Sequence, residues 1–213
     1  AARFMAKQRM PLAPRRLRVL VLHGFRQSAT GLNKRTRALQ RALEHLVEFV
    51  FLDGPASVDE AHPTQRRWWK ASDAGDVYEG WEDAVRLIDA HLPVDGIIGF
   101  SQGSSLAGLM ASLRSDKIRF AICVSGFPSQ ATAHRMFTVP RSIHVPSVHI
   151  FGESDTMVPP PRTLALAECF VDPIIASHPG GHFAPEKLPF ELLRTFLEPF
   201  VDSPLPLSKL DWD

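Results

Sequence analysis

The chain has 213 residues, 45% of them hydrophobic, and its 24 basic and 23 acidic side chains give a formal net charge of +1. This near balance argues against a nucleic-acid-binding protein that relies on a basic field. The length predicts one domain that can bury a sheet between two layers of helices.

Several features bear on where the protein works. Cys123 and Cys169 have neither metal-binding nor disulfide spacing, so we expect two buried thiols in a reducing compartment. No apolar run approaches the roughly 18 residues of a membrane span, and the N-terminus lacks the apolar core of a secretion signal. These features predict a cytoplasmic protein. Residues 1–16 are basic, which predicts a flexible leader or, alternatively, an organelle-targeting segment.

From residue 17 to residue 201, apolar runs of strand length alternate with helical patterns, as in parallel strands joined by crossover helices. Predicted strands cover residues 18–22, 48–52, 95–100, 119–124, 147–152 and 173–178, and predicted helices cover 32–45, 81–91, a stretch after Ser101, 162–170 and 188–200. A long polar loop occupies residues 53–80. Residues 128–145 lack a clear period and are predicted to be an insertion over a pocket. A single α/β domain over 17–201 and a C-terminal tail over 202–213 follow from this pattern.

The pentapeptide at 99–103, Gly-Phe-Ser-Gln-Gly, lies directly between a predicted strand and a predicted helix. In that context it predicts a tight turn that exposes the Ser101 hydroxyl beside a helix N-terminus, with glycines where two backbones pass closely. The alternative is a serine that merely caps the helix, but capping does not require both glycines. Ser101 is therefore the predicted nucleophile.

A serine nucleophile needs a base, and the base must be oriented by an acid. Asp155 follows the strand that ends at Gly152, and His182 follows the last strand on a Gly-Gly loop. The order Ser, Asp, His is that of an α/β-hydrolase triad. Glu153 is the competing acid and His178 the competing base, but His178 belongs to the end of its strand.

Two further sets of residues are predicted around the nucleophile. The backbone N–H groups of Phe25 and Gln102 are the expected donors to an oxyanion, and His23 is expected to be hydrogen-bonded within the first loop. Aromatic residues and methionines of the loops are expected near the carboxyl edge of the sheet, where they could line an apolar pocket. These predicted pocket residues are Trp68, Trp69, Tyr78, Phe127, Met136, Phe137 and Met157.

Six short segments, at 22–28, 51–55, 67–69, 96–103, 124–127 and 180–182, together resemble the FSH family of serine hydrolases. The resemblance extends from about residue 18 to residue 200. It implies the α/β-hydrolase fold and a triad of Ser101, Asp155 and His182 that acts on carboxylic esters or thioesters. The chain departs from the family pattern at Ser104 and Ser105, where small apolar residues are expected.

The expected reaction is hydrolysis of a small-molecule ester or thioester with an apolar acyl or alkyl group, without a metal or other cofactor. An acyl-protein or lysophospholipid thioesterase on the same fold is the nearest alternative. A catalytically idle scaffold used as a binding module is a second alternative, although it usually has a damaged triad. No His/Asp cluster has metal-ligand spacing, which argues against a metal-dependent hydrolase.

Overall fold

The computed structural model describes residues 15–183 and 189–202. The strands are β1 (Leu17–Leu22), β2 (Val47–Leu52), β3 (Ala56–Ser57), β4 (Arg66–Arg67), β5 (Lys70–Ala71), β6 (Tyr78–Glu79), β7 (Val94–Phe100), β8 (Ile118–Val124), β9 (Ser147–Gly152) and β10 (Ile174–His178). The helices are α1 (Ala29–Arg35), α2 (Arg37–Leu43), α3 (Trp81–Asp89), α4 (Gln102–Leu113), α5 (Pro160–Ala167) and α6 (Phe190–Val201), and a 3-10 helix spans Thr132–Phe137.

Six strands form one sheet in the order β10-β9-β8-β7-β1-β2, and every neighbouring pair is parallel. The chain proceeds from β1 to β2 on one side and then crosses to β7 on the other. The strand order therefore switches between β1 and β7. Open α/β sheets bind their ligands at the carboxyl ends of the strands beside such a switch.

The sheet is buried on both faces, so β7 is buried along its whole length, and its sequence is apolar except for Asp95, whose carboxylate is ion-paired. Alternate residues of each strand point to opposite faces. One face packs Leu20 and Ile97 against α3 and α4, and the other packs Val19 and Ile98 against α2 and α6. Helices therefore lie on both faces, as predicted.

The predicted helix over 32–45 is two helices, and Thr36 separates α1 from α2. The Thr36 hydroxyl donates to the Leu32 carbonyl oxygen at 2.9 Å, and its backbone leaves the helical region at φ −96°, ψ 16°. Such back-bonding by threonine competes with the helical pattern and bends helices. The helix also starts earlier than predicted, because the Ser28 hydroxyl caps it by accepting from Gly31 N–H at 3.1 Å.

The polar segment over 53–80, predicted as a loop, contains two short antiparallel ribbons, β3 with β4 and β5 with β6. The ribbons place Trp68, Trp69 and Tyr78 in buried positions. Residues 128–145 include the 3-10 helix, which packs on α4 and buries His134. Both segments thus pack on the domain through these short elements.

Arg15, which belongs to the predicted leader, forms a two-point ion pair with the fully buried carboxylate of Asp95 at 2.7 and 2.8 Å. Asp95 also accepts from Arg119 at 2.6 Å. The rest of the leader, the predicted tail beyond residue 202 and the start of the predicted helix at residue 188 lie outside the described residues. In the described ranges, no helix has both the length and the apolar character that crossing a membrane requires.

His149 gives the domain a predictable sensitivity to acid. Its side chain is buried on β9 against the ring of Phe170, and burial lowers the pKa of His149 to about 3. The unfolded chain takes up a proton on this imidazole below about pH 6.5, whereas the folded chain does not. The contribution to stability is therefore complete above pH 6.5 and is lost as the pH falls towards 3.

We expect this residue alone to reduce the free energy of unfolding by about 2 kcal/mol between pH 7 and pH 5. In His149→Gln that part of the pH dependence disappears, although the variant has a lower stability at pH 7. Urea unfolding at the two pH values measures the difference. His144→Gln, at an exposed imidazole, is the control, and an unchanged pH slope in His149→Gln would contradict the expectation.

Candidate active site

Ser101 is the single residue between β7 and α4. Its backbone has φ +53° and ψ −117°, which non-glycine residues rarely adopt, and its N–H donates to the Val124 carbonyl oxygen at 2.9 Å. A Cβ on Gly99 would lie 2.2 Å from the Gly103 carbonyl oxygen, and one on Gly103 would lie 2.4 Å from that of Leu22. The strand and helix pass this closely only because both positions are glycine.

The imidazole that reaches Ser101 belongs to His182, on the loop after β10. Its Nε2 lies 2.9 Å from the Ser101 Oγ, and its Nδ1 lies 2.7 Å from the Asp155 Oδ2. His178, the competing base, is buried at the end of β10, where its Nδ1 accepts from Gly180 N–H at 3.2 Å. The structure thus brings one of the two candidate bases to the nucleophile.

Asp155 lies on the loop after β9 and is buried. Its Oδ1 accepts from the backbone N–H groups of Met157 and Val158 at 3.0 and 2.8 Å, which leaves Oδ2 for the imidazole. Burial raises the pKa of Asp155, but the Val158 N–H and the His182 imidazole outweigh it, so the pKa lies below its usual range. The competing acid, Glu153, is exposed and accepts from the Ser177 hydroxyl at 2.7 Å instead.

The three side chains therefore form one hydrogen-bonded series, supplied by loops at the carboxyl ends of β7, β9 and β10. A carboxylate that accepts from Nδ1–H holds the imidazole in the tautomer whose Nε2 can take the serine proton. Chemically, the arrangement can generate a nucleophilic hydroxyl at neutral pH. Of these loops, the one after β7 lies at the switch point of the sheet, between β7 and β1.

The loop after β1 brings Phe25 to the same place. Its neighbours are both hydrogen-bonded, Gly24 N–H to the Gln27 Oε1 at 3.1 Å and Arg26 N–H to the Arg66 carbonyl oxygen at 3.0 Å. Gln102 is the first residue of α4, so its N–H has no acceptor within the helix. Phe25 and Gln102 line one cavity with Ser101.

His23, as predicted, is hydrogen-bonded within this region. Its Nδ1 contacts the Gly24 carbonyl oxygen at 2.7 Å and its Nε2 accepts from Gly54 N–H at 2.9 Å, so the proton resides on Nδ1. Burial lowers the pKa of His23, which keeps the ring neutral. The imidazole thus ties the β1 loop to the β2 loop.

A cavity of about 540 Å³ opens beside Ser101. Three predicted pocket residues line it: Trp69, Tyr78 and Phe127. The rings of Trp69 and Tyr78 are stacked, with centroids 4.7 Å apart and planes 9° from parallel. The cavity therefore has an aromatic wall next to the nucleophile.

Four predicted pocket residues do not line this cavity. Trp68 is fully buried in the core, where its indole N–H donates to the His23 carbonyl oxygen at 2.7 Å. Met136 and Met157 are each 71% exposed, and Phe137 packs near His134 at the end of the 3-10 helix. Within the predicted insertion over 128–145, Gln130 is the residue that lines the cavity.

Residues 12–192 match the model of a family described as serine hydrolase (FSH1). The chain belongs to this FSH1 serine hydrolase family. The resemblance predicted from the six segments is confirmed.

Two curated relatives agree with the family, and one solved structure agrees with the fold. The chain is 32% identical to Esterase OVCA2 of Homo sapiens, over 89% of this chain and 99% of that protein. It is 34% identical to Esterase C25G4.2 of Caenorhabditis elegans, over 80% of this chain and 87% of that protein. The acyl-protein thioesterase 2 of Zea mays superposes with a TM-score of 0.66 at 16% identity, over 90% of this chain and 96% of that one. The predicted α/β-hydrolase fold is confirmed.

Two polar side chains that support this FSH1 site escaped the sequence analysis. The Gln102 side chain accepts from Trp68 N–H and donates to the Trp69 carbonyl oxygen, both at 3.0 Å. The Ser105 hydroxyl donates to the Phe127 carbonyl oxygen at 2.6 Å. These contacts fix two walls of the cavity to α4. The sequence signal for both residues was a polar side chain near the start of a buried helix. Ser105 is also one of the departures from the family pattern.

Proposed function

We propose that this chain hydrolyses carboxylic esters or thioesters of apolar acyl or alkyl groups through an acyl-enzyme on Ser101. The observation that carries the proposal is the hydrogen-bonded series from Asp155 through His182 to Ser101. Membership of a serine hydrolase family and relatives named as esterases support it. An idle scaffold usually has a damaged triad, whereas Ser101, Asp155 and His182 are all present in this chain.

In the first step, the Ser101 Oγ attacks the substrate carbonyl carbon and its proton passes to the His182 Nε2. The negative charge moves to the carbonyl oxygen, where the N–H groups of Phe25 and Gln102 are the proposed donors. The carbon bond to the leaving oxygen or sulfur then breaks. His182 gives its proton to the departing alcohol or thiol, and the acyl group remains on Ser101.

In the second step, water attacks the acyl carbon while His182 takes one of its protons. The bond between the carbon and the Ser101 Oγ breaks, and the proton returns to that oxygen. The carboxylic acid leaves and the enzyme is restored. Throughout, the Asp155 carboxylate stabilises the charged imidazole, and its lowered pKa keeps it ionised.

The apolar part of the substrate is assigned to the aromatic wall of Trp69, Tyr78 and Phe127. Aromatic walls with few polar groups are typical of small-molecule sites. A series of p-nitrophenyl esters of increasing acyl length tests this part of the proposal, and thioesters of the same acyl groups test the thioesterase alternative. A protein-bound acyl group compared with a small ester of equal length separates an acyl-protein thioesterase from a small-molecule esterase.

The function itself is tested by covalent labelling. A fluorophosphonate adds to an activated serine hydroxyl, so we expect one label per chain, at Ser101, and none in Ser101→Ala. Ser177→Ala removes an exposed serine hydroxyl on β10 and retains the label. Intact-protein mass spectrometry and peptide mapping measure the outcome. Label retained in Ser101→Ala, or found at another serine, would contradict the assignment.

A further inference from the structure

Among the residues that the structure describes, three basic side chains, Arg67, Lys70 and Arg162, line the cavity beside Ser101, and no acidic one does. The chain as a whole carries almost equal numbers of basic and acidic side chains. The excess of positive charge is therefore local to the cavity and not a property of the surface in general. Clefts lined by one sign of charge concentrate ligands of the opposite sign.

Arg162 lies in the first turn of α5, beside the Asp155 loop, and is partly buried. Its guanidinium carbon lies 4.5 Å above the centre of the Phe127 ring, which holds the group by a cation–π contact. Among the described residues, no carboxylate lies within 4 Å of the Arg162 guanidinium. The ring contact thus holds the charge in place, and residues 15–183 and 189–202 supply no counter-ion to it.

Arg67 is similar, although a different contact holds it. It is partly buried on β4, and its Nη1 donates to the Val58 carbonyl oxygen at 3.1 Å. Among residues 15–183 and 189–202 it also has no carboxylate within 4 Å. The guanidinium of the preceding Arg66 donates to the carbonyl oxygens of Gly54 and Pro55, so the two adjacent arginines make different contacts.

The third cation is more exposed and already has a partner. Lys70 lies 3.8 Å from Glu79 across the β5–β6 ribbon, with both side chains at least 60% exposed. The nearby carboxylates of Asp73 and Asp76 do not line the cavity, and Asp76 accepts from the Ser72 hydroxyl at 2.8 Å. Lys70 therefore adds to the field at the cavity, whereas Arg162 and Arg67 line it without a carboxylate partner among the described residues.

We propose that the substrate carries an anionic group, a carboxylate or a phosphate, that binds Arg162 and Arg67 while its apolar part lies on the aromatic wall. This inference rests on the proposed hydrolase function and names the substrate class within it. Planar guanidinium groups bind both kinds of anion through paired N–H donors. The anion belongs either to the acyl side or to the leaving group of the ester.

Two matched substrate pairs distinguish these sources. The mono-p-nitrophenyl ester of glutaric acid is compared with p-nitrophenyl valerate, which has the same acyl length without the carboxylate. Valeryl glycerol phosphate is compared with valeryl glycerol, which lacks the phosphate of the leaving group. We expect kcat/KM to be about tenfold higher for the anionic member of at least one pair, because hydrogen bonds to charged groups are the stronger ones.

Arg162→Gln and Arg67→Gln should each reduce that preference about tenfold. Arg162→Lys keeps the charge but not the paired donors, so it should retain part of the preference. Lys117→Gln removes an exposed cation at the amino edge of the sheet, before β8, and should leave the preference unchanged. Raising the salt to about 1 M, where the Debye length is ~3 Å, should weaken the preference in the wild-type enzyme.

The outcomes separate this inference from the function on which it rests. Equal or higher kcat/KM for the neutral member of both pairs, unaffected by the arginine variants, would overturn the anion site and leave the hydrolase standing. Preference in one pair alone identifies which side of the ester carries the anion. No hydrolysis of any ester, together with no fluorophosphonate label on Ser101, would overturn both proposals.

Discussion

Replacing Ser101 by alanine is expected to lower kcat for ester hydrolysis about 10⁶-fold, and His182→Ala is expected to do nearly the same. The two side chains act as a unit, because the hydroxyl is nucleophilic only while the imidazole 2.9 Å away accepts its proton. The double variant should therefore be no slower than either single variant. Steady-state hydrolysis of a p-nitrophenyl ester, with enzyme in excess for the slow variants, measures all three.

The residual rate of these variants carries information of its own. Donors to the oxyanion and substrate binding remain after the triad is lost, and such groups typically support about 10³-fold over water. His178→Asn is the matched control, because its Oδ1 can replace the Nδ1 that accepts from Gly180 N–H. The triad would be contradicted if the loss of kcat in the double variant equalled the product of the two single losses. A large loss of kcat in His178→Asn would contradict it as well.

The strands and the Ser101 turn could be predicted because their causes are local in the sequence. Residues 96–100 are buried on both faces and so form an unbroken apolar run, which can be recognised without knowing what packs against it. Gly99 and Gly103 flank the serine because strand and helix meet there at van der Waals distance. Such constraints act on residues that are neighbours in the chain.

The lining of the cavity depends on partners distant in sequence. Trp68 and Trp69 are adjacent and chemically identical, yet one donates to the His23 carbonyl oxygen in the core and the other faces the cavity. Both lie between the short strands β4 and β5, in a segment that was predicted to be a loop. Ser101, Asp155 and His182 each follow the end of a strand, so each could be predicted from its place in the sequence. Only three of the seven predicted pocket residues line the cavity.

The cations of the cavity were missed for the same physical reason. Arg67 lies in the ribbon segment and Arg162 lies in the first turn of α5, about 95 positions later, so no motif contains both. Their relation exists only after β4 and the loop that precedes α5 converge on the carboxyl edge of the sheet. Basic and acidic side chains are nearly equal in number along the chain, so the local excess of positive charge is apparent only in the folded structure.

Asp155→Asn is expected to lower kcat about 10⁴-fold with little change in the fold. The asparagine Oδ1 can keep the hydrogen bonds from Met157 and Val158 N–H, so the loop retains its conformation. The asparagine amide then directs an N–H donor at the His182 Nδ1, and this nitrogen can accept only when it carries no proton. The ring proton moves to Nε2, and that nitrogen can no longer take the serine proton.

Glu153→Gln makes the same chemical change two residues earlier and decides whether the effect belongs to Asp155. Glu153 is exposed and accepts from the Ser177 hydroxyl, so its amide variant should change kcat little. The rate of fluorophosphonate labelling of Ser101 should fall in parallel with kcat in Asp155→Asn, because both reactions need the same proton transfer. If kcat falls while labelling keeps the wild-type rate, the carboxylate acts after acylation and does not set the tautomer of His182.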